Sequence, residues 1–147
     1  MTKPLAVITG ASSGIGEATA KAFSNAGYPT LLLARRIEIM ESFNLKNSIC
    51  KKIDVRDRDA LVSAIREAEK QYGPTDMMFN NAGVARLADI STQDPSEWDE
   101  MIDVNTKGVM NGIYAVMKDM KARKSGTIVN MSSIAGRKVY GDHTVYC

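Results

Sequence analysis

The segment Thr9-Gly10-Ala11-Ser12-Ser13-Gly14-Ile15-Gly16 carries the most legible chemistry in this chain. Before it, Leu5-Ala6-Val7-Ile8 is an unbroken apolar run, the form of a strand covered on both faces. After it, Glu17 to Ala26 reads as a helix, with Gly27 as its stop signal. A glycine-rich turn in that position suits a phosphate. One glycine permits a sharp turn, one removes a side chain where backbone must approach the anion, and one lets helix and strand pack closely. The N–H groups that open the helix, helped by its dipole, point at the charge. The spacing is G-x-x-x-G-x-G, not the G-x-G-x-x-G of the commonest dinucleotide fingerprint. A glycine turn also serves as a plain tight connection, so the flanking strand and helix carry the reading.

The elements that must position this turn alternate along the chain. Thr30-Leu31-Leu32-Leu33-Ala34 is a second buried strand, and a short helix is expected from Ile37 to Leu45. Ser48 to Asp54 is a third, partly polar strand, expected near a sheet edge. Asp57 N-caps a helix that runs to Tyr72 and ends at Gly73-Pro74. Met77-Met78-Phe79 is a fourth strand, leading into Asn80-Asn81-Ala82-Gly83. Pro95-Ser96-Glu97 opens a long helix whose amphipathic face is Trp98, Met101, Ile102, Asn105, Val109, Ile113, Val116 and Met120. Gly126 to Met131 is a fifth strand, followed by Ser132-Ser133. Repeated strand–helix–strand units imply an α/β fold, a doubly wound parallel sheet with helices on both faces. Ligands in such sheets gather at the carboxyl ends of the strands, where four unusual segments converge: the glycine turn, Asp54, Asn80 to Gly83, and Ser133.

Composition narrows the classes. At 147 residues, 44% hydrophobic and 24% charged, the chain reads as one soluble globular domain. A net charge of +2 argues against nucleic acid or an anionic membrane as partner. The basic stretch Lys118 to Lys124 reads as a solvated helix end. Cys50, Cys147 and the single His143 make no metal-like spacing, so no metal is expected. The apolar run after Pro4 is too short for a signal peptide, and nothing has the length of a membrane span, so a cytoplasmic location is expected.

Taken together, these motifs resemble the short-chain dehydrogenase/reductase family. Its T-G-x-x-x-G-x-G turn matches Thr9 to Gly16, and its N-N-A-G motif matches Asn80 to Gly83. Asn105 matches an asparagine of the long helix, Ser133 the serine after strand five, and Tyr146 the tyrosine of Y-x-x-x-K. The resemblance implies a Rossmann-type domain over residues 1–147 and hydride transfer between a nicotinamide cofactor and an alcohol–carbonyl pair. Tyr146 would be the general acid/base. Ser133 would hydrogen-bond the substrate oxygen, and Asn105 would hold a relay water. Gly10, Ser12, Ser13, Gly14, Ile15, Gly16, Asp54, Val55, Asn81, Ala82 and Gly83 would bind the cofactor, with Asp54 meeting the adenine edge. Ser132 to Gly136 and Tyr140 are similar to members that oxidise small hydroxy acids. Family habit implies a homo-oligomer, dimer or tetramer. His143 matches no motif and reads as a surface loop residue.

Cofactor choice follows from charge. An NAD site ends its second strand with Asp or Glu, which accepts hydrogen bonds from the ribose. Here that place falls near Ala34, and Arg35-Arg36 follow. A carboxylate repels a 2′-phosphate, whereas a guanidinium binds one. NADP(H) is therefore expected, with Arg35 the main contact and Arg36 secondary.

The pattern breaks at one place: the chain stops one residue past Tyr146, before the motif lysine. In the family that lysine lowers the tyrosine's pKa. The remaining strands and helices of the family are also missing, so the chain is expected to be the amino-terminal portion of a longer protein. Strand five would then lie at an open apolar edge. Two further readings stay open on the sequence: a truncated dinucleotide-binding module without catalysis, and a structural partner that pairs its open edge with another chain.

Overall fold

The computed structural model describes residues 3–147 of the chain. Five strands, β1 (Leu5–Thr9), β2 (Thr30–Ala34), β3 (Ser48–Lys52), β4 (Thr75–Asn80) and β5 (Thr127–Asn130), form one sheet in the order β3-β2-β1-β4-β5. Every neighbouring pair is parallel. The chain winds outward from β1 to β3, then crosses back to lay β4 on the other side of β1. That reversal puts the switch point between β1 and β4, where a crevice opens above the strand ends.

Helices α1 (Gly14–Asn25) and α2 (Ile37–Ser42) cover one face; α3 (Arg58–Tyr72) and α5 (Gly108–Arg123) cover the other. Alternation along the strands divides the core accordingly. Leu5, Val7, Leu31 and Leu33 pack with Leu61, Ile65, Val116 and Met120, while Ile8 and Leu32 pack with Ala20 and Met40. The central strands are buried throughout, which is why they read as continuous apolar runs. The more polar β3 lies at one edge, as its composition implied, and β5 at the other, with Val129 exposed. Burial raises the pKa of the Cys50 thiol on β3, and nearby Glu41 adds to the rise.

Local signals explain several boundaries. The Asp57 carboxylate accepts a hydrogen bond from the Ala60 N–H at 3.0 Å, capping α3. The helix after β2 ends earlier than its composition suggested, at Ser42, because Asn44 and Asn47 both adopt left-handed backbone conformations.

The long helix expected from Pro95 is not one regular helix. A single π turn, Asp103–Lys107, separates α4 (Pro95–Ile102) from α5. An extra residue in one turn rotates everything after it. The buried stripe therefore runs through Met101, Val104, Gly108, Asn111, Gly112, Ala115, Val116 and Met120, while Ile102 is exposed. Small residues lie at the closest approaches. A Cβ on Gly108 would strike Val55, and one on Gly112 would strike the Asn80 carboxamide. Of the expected face, Met101, Val116 and Met120 are buried, Trp98, Asn105, Val109 and Ile113 are half-buried, and Ile102 alone is exposed; small residues fill the positions nearest the sheet.

Candidate functional site

The three glycines of the first turn divide the work as their spacing implied. Gly10 has φ +63° and lies so close to Ala82 and Asn81 that a Cβ there would come within 3.0 Å of both. Gly14 has φ +56°, with open space where a side chain would be. A Cβ on Gly16 would overlap the Gly10 carbonyl, so α1 reaches the strand only because that atom is missing. Ser13 is the N-cap of α1 but makes no capping hydrogen bond, which leaves the first N–H groups of the helix free to meet an anion.

Thr9 joins this turn to the loop after β4. Its hydroxyl, 2% exposed as a residue, accepts hydrogen bonds from the Asn81 and Ala82 N–H groups, each at 3.0 Å. The same hydroxyl donates to the Phe79 carbonyl at 3.3 Å. The Asn81 amide donates back to the Thr9 and Gly10 carbonyls at 3.1 and 3.3 Å. Sequence reasoning treated Thr9 as part of a motif but gave it no role. Its position at the buried end of a strand, before the glycines, was the available signal.

Above these segments lies a crevice of about 700 Å³. Of the expected site residues, Gly10, Ser12, Ser13, Ile15, Arg35, Arg36, Asp54, Val55, Asn81, Ala82, Gly83, Asn105, Ser133 and Tyr146 line it. Gly14 and Gly16 do not, and act through the shape of the turn. Thr106 and Met131 also line it and were not anticipated. Met131 follows β5, so the rule that ligands meet strand ends could have found it; nothing in the sequence marked Thr106.

At the end where chemistry is expected, the half-buried Ser133 hydroxyl accepts from the Ala135 N–H at 3.1 Å. Its own proton is thereby left to donate. Asn105 sits in the π turn, and its carboxamide pairs with the backbone of Val84: Oδ1 accepts from the N–H at 2.8 Å and Nδ2 donates to the carbonyl at 2.7 Å. Tyr146 lies in a turn closed by the Cys147 N–H donating to the His143 carbonyl at 2.8 Å. His143 lies in the terminal loop, half-buried, with the rings of Tyr140 and Tyr146 at 5.5 and 6.1 Å. The Lys138 ammonium lies 5.6 Å from the Tyr140 ring centre.

Charge gathers at the opposite end. The Arg36 guanidinium donates to Ser12 Oγ at 3.1 Å and to Ser13 Oγ at 2.9 Å, which fixes it over the glycine turn. Arg35 instead approaches Glu100 at 3.8 Å. The Asp54 carboxylate is held by Arg56, with contacts from 2.6 to 3.1 Å. That hydrogen bonding, outweighing partial burial, keeps the Asp54 carboxyl below the usual range. Among the described residues, no group of three or more His, Cys, Asp or Glu side chains is placed to hold a metal, and no helix is long and apolar enough to cross a membrane.

A parallel sheet in this order, with an uncapped helix behind a glycine turn at the switch point, is a Rossmann-type fold, and its cradle fits a dinucleotide's diphosphate. The chain belongs to the short chain dehydrogenase family, whose model matches residues 4–147. It is 42% identical over 146 residues to an uncharacterized oxidoreductase of Listeria monocytogenes, covering 95% of this chain and 59% of the relative. Against the closed form of serine dehydrogenase complexed with NADP+, the TM-score is 0.92 at 29% identity, over 97% of this chain and 59% of that one. A metagenomic short-chain oxidoreductase in complex with NADP gives a TM-score of 0.89 at 32% identity, over 97% and 68%. The chain thus spans about 59% of the length of the curated relative it matches.

Proposed function

We propose that this protein is an NADP(H)-dependent oxidoreductase acting on an alcohol or carbonyl, with residues 1–147 as part of a dinucleotide-binding domain that continues past 147. The observation that carries the reading is Arg36, whose guanidinium is fixed by Ser12 and Ser13 over the glycine turn. No carboxylate lies within ion-pair distance of it among the described residues. That is an arrangement for a 2′-phosphate, with Arg36 as its principal contact and Arg35 beside it. NADP in two solved relatives supports it.

Held in this crevice, a nicotinamide cofactor would supply the hydride chemistry, and the chain's own residues would orient it and handle the proton. Tyr146 gives the proton to the substrate oxygen in reduction and takes it in oxidation. Ser133 donates its remaining proton as a hydrogen bond to the same oxygen, which stabilises negative charge there. Asn105 braces the loop after β4 through Val84, and its second lone pair and second N–H are left for a relay water. Asp54, Val55 and Asn81 to Gly83 line the crevice and would wall the cofactor, with Ile15 beside the glycine turn. The likeness to serine dehydrogenase favours a small hydroxy acid as substrate. The proposal extends to a cytoplasmic homo-oligomer that acts on neither nucleic acid nor membrane; a clean monomer in sedimentation would reject the assembly.

The test is a fluorescence titration with NADPH and NADH. NADPH is expected to bind at least tenfold tighter, and Arg36→Ala to weaken NADPH by about ten- to thirtyfold while sparing NADH, as for loss of an exposed charge-assisted contact. Tighter NADH binding rejects the assignment. The alternative reading is a dinucleotide-binding module without catalysis. NADPH binding with no turnover of any small hydroxy acid would decide for that reading.

A further inference from the structure

Glu100, on α4, lies at the junction of two arginines. One carboxylate oxygen, Oε2, accepts a hydrogen bond from Arg86 Nε at 2.9 Å, while Oε1 faces Arg35 Nη1 at 3.8 Å. Arg35 lines the crevice; Glu100 is not among the lining residues. The two contacts differ in kind. The Arg86 bond is short enough to anchor the carboxylate, whereas 3.8 Å is too long for a hydrogen bond, so the Arg35 contact is one of charge. Arg86, with the charges of Arg35 and Arg56, keeps the Glu100 carboxyl below its ordinary pKa, so it is ionised at neutral pH. Arg36, one residue further on, has serine hydroxyls as partners instead.

We propose that Glu100 sets how strongly the protein discriminates between cofactors with and without a 2′-phosphate. It does so by drawing Arg35 away from the phosphate position, which leaves Arg36 as the dominant contact. This inference rests on the NADP(H) reading above. Two adjacent arginines would otherwise both be free to chelate the phosphate. Because Arg86 anchors Glu100, the carboxylate cannot follow Arg35 when that side chain turns toward a ligand, so the pair must be broken. Exposed pairs of this kind restrain a guanidinium weakly, by the equivalent of about two- to fivefold in binding. Glu100 is a positioning residue acting through Arg35, not a ligand of the cofactor.

The probes are 2′,5′-ADP and 5′-AMP, which share adenosine and differ by the 2′-phosphate. Both are titrated at low ionic strength into the wild type, Glu100→Gln, Arg35→Gln and the double variant. Glu100→Gln should bind 2′,5′-ADP about two- to fivefold tighter, with 5′-AMP unchanged. In the Arg35→Gln background the same change should have no effect on either probe. The proposal is overturned if Glu100→Gln leaves 2′,5′-ADP binding unchanged or weakens it, or if the gain persists without Arg35. The wild-type ratio of the two affinities separately tests the NADP(H) reading. A ratio near one removes both proposals; a high ratio that Glu100→Gln does not raise removes this one alone.

Discussion

Replacing Thr9 by Val tests whether one hydroxyl holds the two halves of the crevice together. Valine has nearly the shape of threonine, so packing around this 2%-exposed residue is preserved and only hydrogen bonding changes. Three bonds disappear: those from the Asn81 and Ala82 N–H groups, and the one to the Phe79 carbonyl. The two N–H groups are then left facing a methyl. A buried donor without a partner costs about 1–3 kcal/mol. Asn81 and Ala82 are only half-buried beside the crevice, where water reaches, which puts each at the lower end. The expected loss is about 2–4 kcal/mol, a large share of the roughly 5–15 kcal/mol that stabilises a typical domain. Urea unfolding of the wild type, Thr9→Val and Thr9→Ser reads it directly. Serine keeps the hydroxyl and loses one methyl, so it should cost only about 1 kcal/mol. The reasoning fails if Thr9→Val lies within about 0.5 kcal/mol of the wild type, or if serine is as damaging as valine. NADPH affinity should fall with Thr9→Val as well, because Ala82 would no longer be held against Gly10.

Gly16→Ala should destabilise by about 1–3 kcal/mol and abolish NADPH binding, since its Cβ overlaps the Gly10 carbonyl. Gly14→Ala meets only open space but must hold φ +56°, so thermal unfolding should show a smaller penalty of about 1–2 kcal/mol. Tyr146→Phe should lower turnover by at least about a hundredfold while NADPH titration is unchanged; equal turnover would reject its role. Asp54, whose carboxyl the fold holds below its ordinary value, contributes stability that is present above the unfolded pKa near about 4. That contribution is lost as pH falls through the lower folded value. The difference in Tm between wild type and Asp54→Asn, measured from pH 7 downward, should therefore shrink on acidification; a difference that grows would refute the linkage.

How much of this could be read beforehand depended on how far each decision reached along the chain. The Asp57 cap and the Gly27 and Gly73 stops are made within a few residues, and the structure has all of them. The order of strands and helices followed from runs of apolar residues in the same way. The face of α4 and α5 was legible only in part, with Met101, Val116 and Met120 buried but Ile102 exposed and Gly108, Asn111 and Gly112 buried in addition, because a π turn at Asp103–Lys107 breaks the 3.6-residue period. The ranking of Arg35 over Arg36 did not anticipate a geometry in which the two adjacent guanidiniums go to Glu100 and to the serines respectively.

What the amino-acid order settled by itself was backbone: a glycine turn after a buried strand, a helix opening behind it, and units that must wind into a parallel sheet. These follow from φ restrictions and from periodicity, both of which are local. Only the tertiary structure decided which side chains meet across the strand ends. The Thr9 hydroxyl under Ala82, the Asn105 carboxamide on Val84, and Glu100 drawing on Arg35 join residues separated by 21 to 73 positions or carried on different elements. Such pairings depend on strand register and helix rotation, which are set by packing the whole core at once.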